Sequence, residues 1–446
     1  MTIPPQLPSH DRRAVVLRIR RPTVGSVPAS RRLSRRFSLS PIRVGPLPVG
    51  PLRAARPHAR AAGAAAAAVL LSAALSSCSS GDPSAGKQDA KRGGAAAVTV
   101  SPQGSRAKAG EPVRVTARGG TLASVTVTDA KGGRLSGALS GDHRAWTSDR
   151  NAAPGTTYTI VTVTRTDDGT PGRSRTSFTT AAAERVNKVD WRPGDATTVG
   201  VAQPISLVFD RPVSNKAAVE RQLKVTTSNG TVGSWGWMKD WSGKDRVDWR
   251  PKEYWRPGTE VTLDARLNGT DSGSDGGWFV RDYRVAFTVG ARQVVKVDLD
   301  RKQLTVERDG KTVRTFPVSG GTPGPETGSW RGTEVVMAKE GSIRMNSETV
   351  GLGDAYDQKV DYAMRLTWSG TYAHAAPWNA AYFGRANRSH GCIGMSDADA
   401  RWLYEHTTVG DPFEVKGAET KGRVALNNGL GDWNAGWDEW RERSAL

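Results

Sequence analysis

The sequence predicts a mainly β protein with few short helices. From Val98 onward, short runs alternate apolar and polar side chains, which is the period of a half-buried strand. Glycine and proline clusters separate these runs, and the chain holds 50 Gly and 25 Pro in 446 residues. Almost nothing between them has helical spacing, and the length corresponds to about two to four domains.

Residues 98–183 form the first predicted domain. Its strands are expected where the alternation is clearest, at 98–100, 113–115, 125–127 and 158–163. Short strands of this kind, joined by turns, favour a β-sandwich of the immunoglobulin-like type.

A second immunoglobulin-like sandwich is predicted at residues 184–290, with strands at 205–209, 261–263 and 283–287. The turn at Pro154-Gly155 in the first domain has a counterpart at Pro257-Gly258 in the second, and each leads into a strand. This repeat at about one domain length supports two similar modules. Six tryptophans of the second module either pack in its interior or form a sugar-stacking surface, and we favour packing: they are Trp191, Trp235, Trp237, Trp241, Trp249 and Trp255.

The third domain is predicted at residues 291–416. Strands at 294–299, 303–307 and 313–318 surround Asp309-Gly310, a dipeptide typical of tight hairpins. Residues 322–353 show little apolar periodicity and are interpreted as a mobile flap. A short amphipathic helix is expected at 398–406 and a closing strand at 412–415.

Residues 417–446 are predicted to form a C-terminal strap. Trp433, Trp437 and Trp440 have the spacing of one helix face. We expect the strap to pack back on the third domain, and a helix lying on a membrane surface is the alternative.

The net charge of +19 does not indicate a nucleic-acid-binding protein. Residues 1–78 carry 13 Arg, no Lys and one acidic residue, which leaves 50 Lys and Arg against 43 Asp and Glu in the rest of the chain. The part beyond residue 78 is therefore only mildly basic, and we exclude nucleic acid as a partner.

Residues 1–78 are interpreted as a leader with a lipoprotein signal peptide. Arginines precede an uncharged run at 61–75, which has the length of a signal-peptide core. The following Leu75-Ser76-Ser77-Cys78 resembles a bacterial lipobox, which implies lipidation of Cys78. Residues 1–50 are interpreted as a start codon assigned too far upstream or a disordered extension, and the alternative for the whole leader is an ordinary secretory signal or membrane anchor.

Residues 79–97 predict a flexible tether, rich in Ser, Gly, Ala and Lys. Together with a lipidated Cys78, the tether predicts a protein held on the outer face of the cell membrane and acting in the cell wall.

The stretch from Tyr372 to Ser396 carries the residues for covalent chemistry. His374, His390 and Cys392 lie within it, although the chain has only six His and two Cys. A cysteine attacks carbonyl groups as its thiolate, and a nearby imidazole can take the thiol proton and return it to a leaving group. Glycines at 391 and 394 allow the backbone to present amides to a developing oxyanion.

His374 followed by Ser389-His390-Gly391-Cys392 resembles the motif of the L,D-transpeptidase catalytic domain of the YkuD type. The resemblance covers about residues 294–415. The complete layout, from lipobox to Trp-rich tail, is similar to actinobacterial members of that family. It implies a β-rich catalytic domain with few helices.

The resemblance also implies roles for individual residues. Cys392 is expected to be the nucleophile, His374 the general base and acid, and His390 or Ser389 the group that orients the imidazole. The amides of Gly391 and Cys392 are expected to form the oxyanion hole. Four further residues correspond to substrate-binding positions of the family: Tyr356, Ser369, Gly370 and Gly394.

Gly394 departs from the family pattern, in which Asn or Arg is more usual at that position. A glycine has no side-chain amide to donate to a substrate, so either water or another group takes over that hydrogen bond or donor recognition differs here. Ala375 also replaces a more usual Ser or Gly.

The implied activity is that of a peptidoglycan L,D-transpeptidase, which needs no metal or cofactor. Cys392 attacks the third residue of a stem peptide, D-alanine leaves, and an amine of another stem takes the thioester to give a 3→3 cross-link. β-Lactams of the carbapenem class are expected to acylate the same thiol. The alternatives are a cell-wall L,D-carboxypeptidase, a catalytically silent wall-binding lipoprotein, and a cysteine protease of unrelated fold.

Overall fold

A computed structural model describes residues 96–446 of the chain. The predicted leader at 1–78 with Cys78, and the tether up to residue 95, lie outside the described residues. Within 96–446, none of the helices has the length and apolarity needed to cross a lipid bilayer.

The first module is a sandwich of two four-stranded sheets. One sheet has the order β1-β2-β6-β5 and the other β4-β3-β7-β8. Their inner faces bury Leu122, Trp146 and Ile160. The strands are β1 (Ala97–Ser101), β2 (Pro112–Arg118), β3 (Gly120–Asp129), β4 (Arg134–Leu135), β5 (Gly137–Leu139), β6 (Ala145–Asn151), β7 (Thr157–Thr166) and β8 (Pro171–Thr179).

The second module repeats this two-sheet architecture, with sheets ordered β10-β16-β15-β12 and β13-β14-β11-β9. The repeated turns are present, because Gly155 and Gly258 both have positive φ values, 61° and 75°, just before β7 and β15. Its elements are β9 (Val189–Arg192), β10 (Thr197–Val199), β11 (Ile205–Phe209), α1 (Lys216–Glu220), β12 (Leu223–Thr227), β13 (Gly233–Lys239), β14 (Asp245–Pro251), β15 (Glu260–Ala265) and β16 (Tyr283–Val289).

The tryptophans of this module mostly pack in its interior. Four of them are buried, and Trp249 stacks on Trp255 with ring centroids 5.2 Å apart. Trp191 and Trp241 remain 37% and 51% exposed. Packing is therefore the main role of the tryptophan cluster.

The third module also contains two sheets, with α2 (Asp397–His406) packed against one of them. The first sheet has the order β19-β18-β17-β25-β20 and the second β21-β22-β23-β24. Between them lies a core that includes Leu304, Phe413 and Leu403. The strands are β17 (Gln293–Asp298), β18 (Gln303–Arg308), β19 (Lys311–Pro317), β20 (Gly332–Val335), β21 (Ala338–Asn346), β22 (Asp357–Arg365), β23 (Tyr372–Ala375), β24 (Ile393–Met395) and β25 (Pro412–Lys416).

The hairpin predicted at Asp309-Gly310 is present. Both residues have positive φ, 49° and 76°, as the turn of a two-residue hairpin requires. The mainly β fold, with immunoglobulin-like sandwiches before a β-rich third domain, is confirmed.

The flap expected at residues 322–353 contains two strands that the sequence analysis missed, β20 and β21. β21 pairs with β22, and the pairing shifts register around Gly341. Its residues are all at least partly exposed, so neither face is apolar and no alternation shows in the sequence.

The C-terminal strap bridges two modules. Asn434 exchanges hydrogen bonds with Thr333 of β20, whereas Trp440 donates through its indole N–H to the Ser234 carbonyl of the second module, 3.0 Å away. The predicted packing on the third domain alone was therefore incomplete. The prediction that the three tryptophans share one helix face was also wrong, because two extended residues, Ala435 and Gly436, separate a 3₁₀ turn (Asp432–Asn434) from α3 (Trp437–Arg441).

Trp433, Trp437 and Trp440 instead converge on one guanidinium. Their rings lie 4.9, 5.6 and 5.0 Å from the guanidinium carbon of Arg250 in β14. A cation held against several aromatic faces stabilises their packing, so the shared partner of these tryptophans lies in another domain.

Candidate active site

Two neighbouring parallel strands bring the predicted catalytic residues together. β23 pairs with β24 in a register that places His374 opposite Gly394. Cys392 ends the loop that leads into β24. His374 and Cys392 line the same cavity, which has a volume of about 180 Å³. Sheet pairing therefore joins residues that are 18 positions apart in sequence.

The His374 ring is fixed in one orientation. It is 5% exposed, and its Nδ1 lies 2.6 Å from the Ala375 carbonyl oxygen. Because a carbonyl only accepts, Nδ1 carries the proton and Nε2 of the neutral ring is left as the acceptor. Burial lowers the pKa of His374 below the usual imidazole range, which favours the neutral base.

The Cys392 thiol is partly buried beside an apolar cluster. Burial is the largest effect and raises its pKa to about 11, while a backbone hydrogen bond from Tyr372 and the charge of Lys421 act in the opposite direction. Sγ lies 3.6 Å from the Gly370 carbonyl oxygen, to which the thiol donates. The resting pair is thus a neutral thiol and a neutral imidazole.

Ser389 closes the loop before the cysteine and does not orient His374. Its hydroxyl donates to the Cys392 carbonyl at 2.6 Å and accepts the Gly391 N–H at 3.2 Å. The expectation that Ser389 or His390 holds the imidazole is corrected by the structure, since the carbonyl of Ala375 does so. The Gly391 amide, expected in the oxyanion hole, is engaged with Ser389 in this state.

His390 faces the flap. Its ring centroid is 5.1 Å from that of Tyr356, and both residues line the cavity. The pKa of Tyr356 is raised by burial and by the nearby Cys392, so its phenol remains a neutral donor. This position agrees with a role of Tyr356 in contacting a substrate, which stays a prediction.

Ser369 and Gly370 lie in the turn between β22 and β23. The Ser369 hydroxyl accepts from the indole N–H of Trp330 at 3.1 Å and from the Asn428 amide at 2.8 Å. It is therefore tied to the strap, and only Gly370 contacts the thiol directly. Neither residue lines the cavity beneath Tyr356.

The structure explains why position 394 is a glycine. A Cβ at Gly394 would lie 2.9 Å from the Cβ of Ala376, closer than two such carbons approach. Gly394 also exchanges backbone hydrogen bonds with Ser319, both 2.9 Å long. These hydrogen bonds hold the backbone of residue 394 in place, so it cannot simply move away from Ala376 to make room for a side chain.

Sequence reasoning missed several residues around the site. Trp378 stacks on the His374 ring at 6.0 Å, and Arg388 lines the cavity. Both lie between Tyr372 and Ser396, where a tryptophan and an arginine so close to the motif could have indicated them. The charge of Lys421 lowers the pKa of Cys392 and that of Glu334 raises it, and their distance along the chain left no local pattern that could indicate them.

Two family models match the chain. A bacterial Ig domain model matches residues 104–271, and an L,D-transpeptidase catalytic domain model matches residues 292–415. The second match ends before the C-terminal strap.

The curated relatives include L,D-transpeptidase 2 of Mycobacterium tuberculosis, 33% identical over 75% of this chain and 81% of the relative. L,D-transpeptidase 5 of the same species is 34% identical over 75% of this chain and 73% of the relative. The solved structure of LD transpeptidase LdtMt1 in complex with imipenem is 33% identical, with a TM-score of 0.44, over 52% of this chain and 100% of that one. With two curated relatives of this identity and coverage, and with a catalytic-domain model matched across the cavity that holds Cys392, the chain belongs to the L,D-transpeptidase family.

Proposed function

We propose that this protein forms 3→3 cross-links in peptidoglycan through a thioester on Cys392, with release of D-alanine from the donor stem peptide. The observation that carries the proposal is the placement of Cys392 in one cavity with a histidine whose unprotonated nitrogen is Nε2. That arrangement provides a nucleophile and a base oriented by a third group.

The first half-reaction starts from two neutral groups. As Sγ attacks the carbonyl carbon of the third stem residue, Nε2 of His374 takes the thiol proton. The tetrahedral intermediate then collapses, the bond to D-alanine breaks, and the imidazolium returns the proton to the leaving amine. The product is a thioester, and the imidazole is neutral again.

The second half-reaction transfers the acyl group. An amine on the third residue of another stem attacks the thioester, His374 takes the amine proton, and the Cys392 thiol is regenerated. Amides around Gly391 and Cys392 are proposed to stabilise both oxyanions, for which the Gly391 N–H must leave the Ser389 hydroxyl.

The test is product analysis with purified tetrapeptide muropeptides. We expect cross-linked dimers and free D-alanine from the wild type and neither from Cys392→Ala. Trimmed stems without dimers would support the carboxypeptidase alternative. If the wild type and Cys392→Ala both leave the muropeptides unchanged, the protein is a silent wall-binding one.

We also propose that carbapenems acylate Cys392. The thiol is the nucleophile that would open the strained lactam, and the family relationship supports the same chemistry here. Intact-protein mass spectrometry after meropenem treatment should show one adduct, lost in Cys392→Ala.

The proposed location is the outer face of the cell membrane, through a lipid on Cys78. The lipobox resemblance supports it. Labelling cells with a palmitate analogue should mark the wild type but not Cys78→Ala, and an unlabelled wild type would refute the lipid anchor.

A further inference from the structure

Lys421 of the C-terminal strap lies beside the loop that carries the cysteine. Its Nζ is 3.5 Å from the position that a Cβ on Gly391 would occupy, and 4.7 Å from the ring centroid of Trp330. Lys421 is 29 residues beyond Cys392 and outside the region matched by the catalytic-domain model. A cation from another segment of the chain therefore lies beside the glycine that precedes Cys392.

Ser329 fixes this arrangement from both sides. Its carbonyl accepts the backbone N–H of Lys421 at 3.1 Å, and its buried hydroxyl donates to the Gly391 carbonyl at 2.9 Å. One residue thus ties the strap to the glycine that precedes the nucleophile. Hydrogen bonds through Ser329 therefore hold the backbone of Lys421 next to the loop that carries Cys392.

Glu334 is a second charged residue that the reaction does not use, and its charge raises the pKa of Cys392. It is 1% exposed, and neither carboxylate oxygen has a hydrogen-bond partner. Its neighbour Val335 packs against Ala202 and Leu430 on one face of β20, so Glu334 points to the opposite face. Burial raises the pKa of Glu334 to about 8, and the charge of Lys421 partly offsets this.

We propose that Lys421 is a positioning residue that stabilises negative charge on Cys392, and that the buried Glu334 opposes it once ionised. The inference rests on the proposed role of Cys392 as the nucleophile. A neighbouring cation favours thiolate and oxyanion in a site of low polarity, and a neighbouring carboxylate disfavours them. While Glu334 is protonated, only the cation acts.

The other charged or titratable groups around Cys392 come from every element packed against it. They are Tyr356 from the flap, Tyr372 and His374 from β23, and Arg388 and His390 from the preceding loop. The pKa of Tyr356 and of Tyr372 is raised and that of His374 is lowered, each mainly by burial. These phenols and the imidazole of His374 are therefore neutral near pH 7 to 8. Arg388 of the cavity, Lys421 of the strap and Glu334 of β20 are the Arg, Lys and Glu side chains among these groups.

The test is the pH dependence of Cys392 alkylation by iodoacetamide, measured on the full chain by quantifying the modified peptide. Alkylation needs only the thiolate, so it does not depend on peptidoglycan chemistry. In Lys421→Met we expect the profile to move to higher pH, by about 0.5 to 1 pH unit. Lys421→Arg, which keeps the charge, should restore the wild-type profile.

Glu334→Gln should change the rate of Cys392 alkylation in the opposite direction to Lys421→Met, and only at higher pH. Below pH 7 it should match the wild type, because Glu334 is then protonated. Above about pH 8 it should react faster, because the opposing carboxylate is gone. Lys416→Met is the matched control, since Lys416 pairs with Asp298 at 3.2 Å on an exposed surface.

Superimposable profiles for wild type and a folded Lys421→Met, or shifts of the same sign for Lys421→Met and Glu334→Gln, would overturn the inference. Its failure is distinguishable from that of the proposed function. If the wild type forms cross-links and Lys421→Met leaves the alkylation profile unchanged, only the positioning role of Lys421 is refuted. Shifted profiles in a protein that makes no dimers support it and refute the transpeptidase reaction.

Discussion

Position 394 leaves no room for a side chain. A Cβ there would meet the Cβ of Ala376 at 2.9 Å, and the backbone is bonded to Ser319 on its other side. The glycine that departs from the family pattern is thus matched to its neighbour Ala376. The residue lines the cavity together with His374 and Cys392, so a change in packing here reaches those two residues.

We expect Gly394→Ala to destabilise the protein by about 1–3 kcal/mol through overpacking, and to slow carbapenem acylation of Cys392. The double variant Gly394→Ala with Ala376→Gly should recover much of both. Thermal denaturation and mass spectrometry measure the two effects. A single variant as stable and reactive as the wild type would contradict the steric explanation.

His374 determines the second residue-scale prediction. Because burial lowers its pKa and raises that of the thiol to about 11, acylation should rise with pH below the usual imidazole range and then stay level. In His374→Gln the base is absent, so the rate should fall roughly 10²- to 10⁴-fold at pH 7. It should then climb about tenfold per pH unit towards pH 11, as thiolate forms directly.

Rapid-mixing kinetics with meropenem between pH 5 and 10 would measure both curves. Cys392→Ala is the control for adducts elsewhere. Parallel curves for wild type and His374→Gln would show that His374 is not the base.

At the scale of elements, the strap is the part whose role changes most between sequence and structure. α3 packs on β13, and the indole of Trp440 is fully buried. A Cβ on Gly236 in β13 would lie 2.7 Å from that ring. The packing of the strap therefore depends on a glycine of the second module.

Gly236→Ala is expected to displace α3 and to lower stability by about 1–3 kcal/mol, seen as a lower melting temperature and increased exposure of Trp440 in quenching of tryptophan fluorescence. The matched control is Gly141→Ala, where a Cβ meets nothing within 4 Å. Equal melting temperatures for the two variants would show that the strap tolerates the added methyl group.

At the scale of the whole molecule, the second module and the third are joined through their backbones. The Gly200 N–H donates to the Val409 carbonyl at 2.8 Å, and the Ala202 N–H to the Gly410 carbonyl at 2.9 Å. The strap adds the Trp433 indole N–H, which donates to the Ala202 carbonyl at 2.8 Å. These bonds orient the catalytic domain relative to the second module.

Gly200→Ala should open this junction, because a Cβ there would lie 2.2 Å from the backbone nitrogen of Asp411. Backbone atoms cannot move aside as a flexible side chain does. We expect a lower melting temperature and faster proteolysis near residues 290–292 than in Gly141→Ala. An unchanged digestion pattern would mean that the junction absorbs the methyl group.

Much of the fold was predictable from local sequence. The alternating runs, the Asp309-Gly310 hairpin and the repeated Pro-Gly turns depend on neighbouring residues only, and the structure has them. Strands such as β21 were not predicted because neither of their faces is apolar. The register of β21 is set by its pairing with β22 and not by an apolar pattern in the sequence.

The sequence by itself determined the chemistry that this protein carries, a cysteine and a histidine in the L,D-transpeptidase motif. Only the tertiary structure decided what surrounds them: the Ala375 carbonyl that orients His374, the strap that brings Lys421 beside Gly391, and a buried Glu334 whose carboxylate has no hydrogen-bond partner. The physical reason is that charge and sterics act through space. The charges of Glu334 and Lys421, 58 residues before the cysteine and 29 after it, shift the pKa of the same thiol in opposite directions, and no local pattern of residues records this.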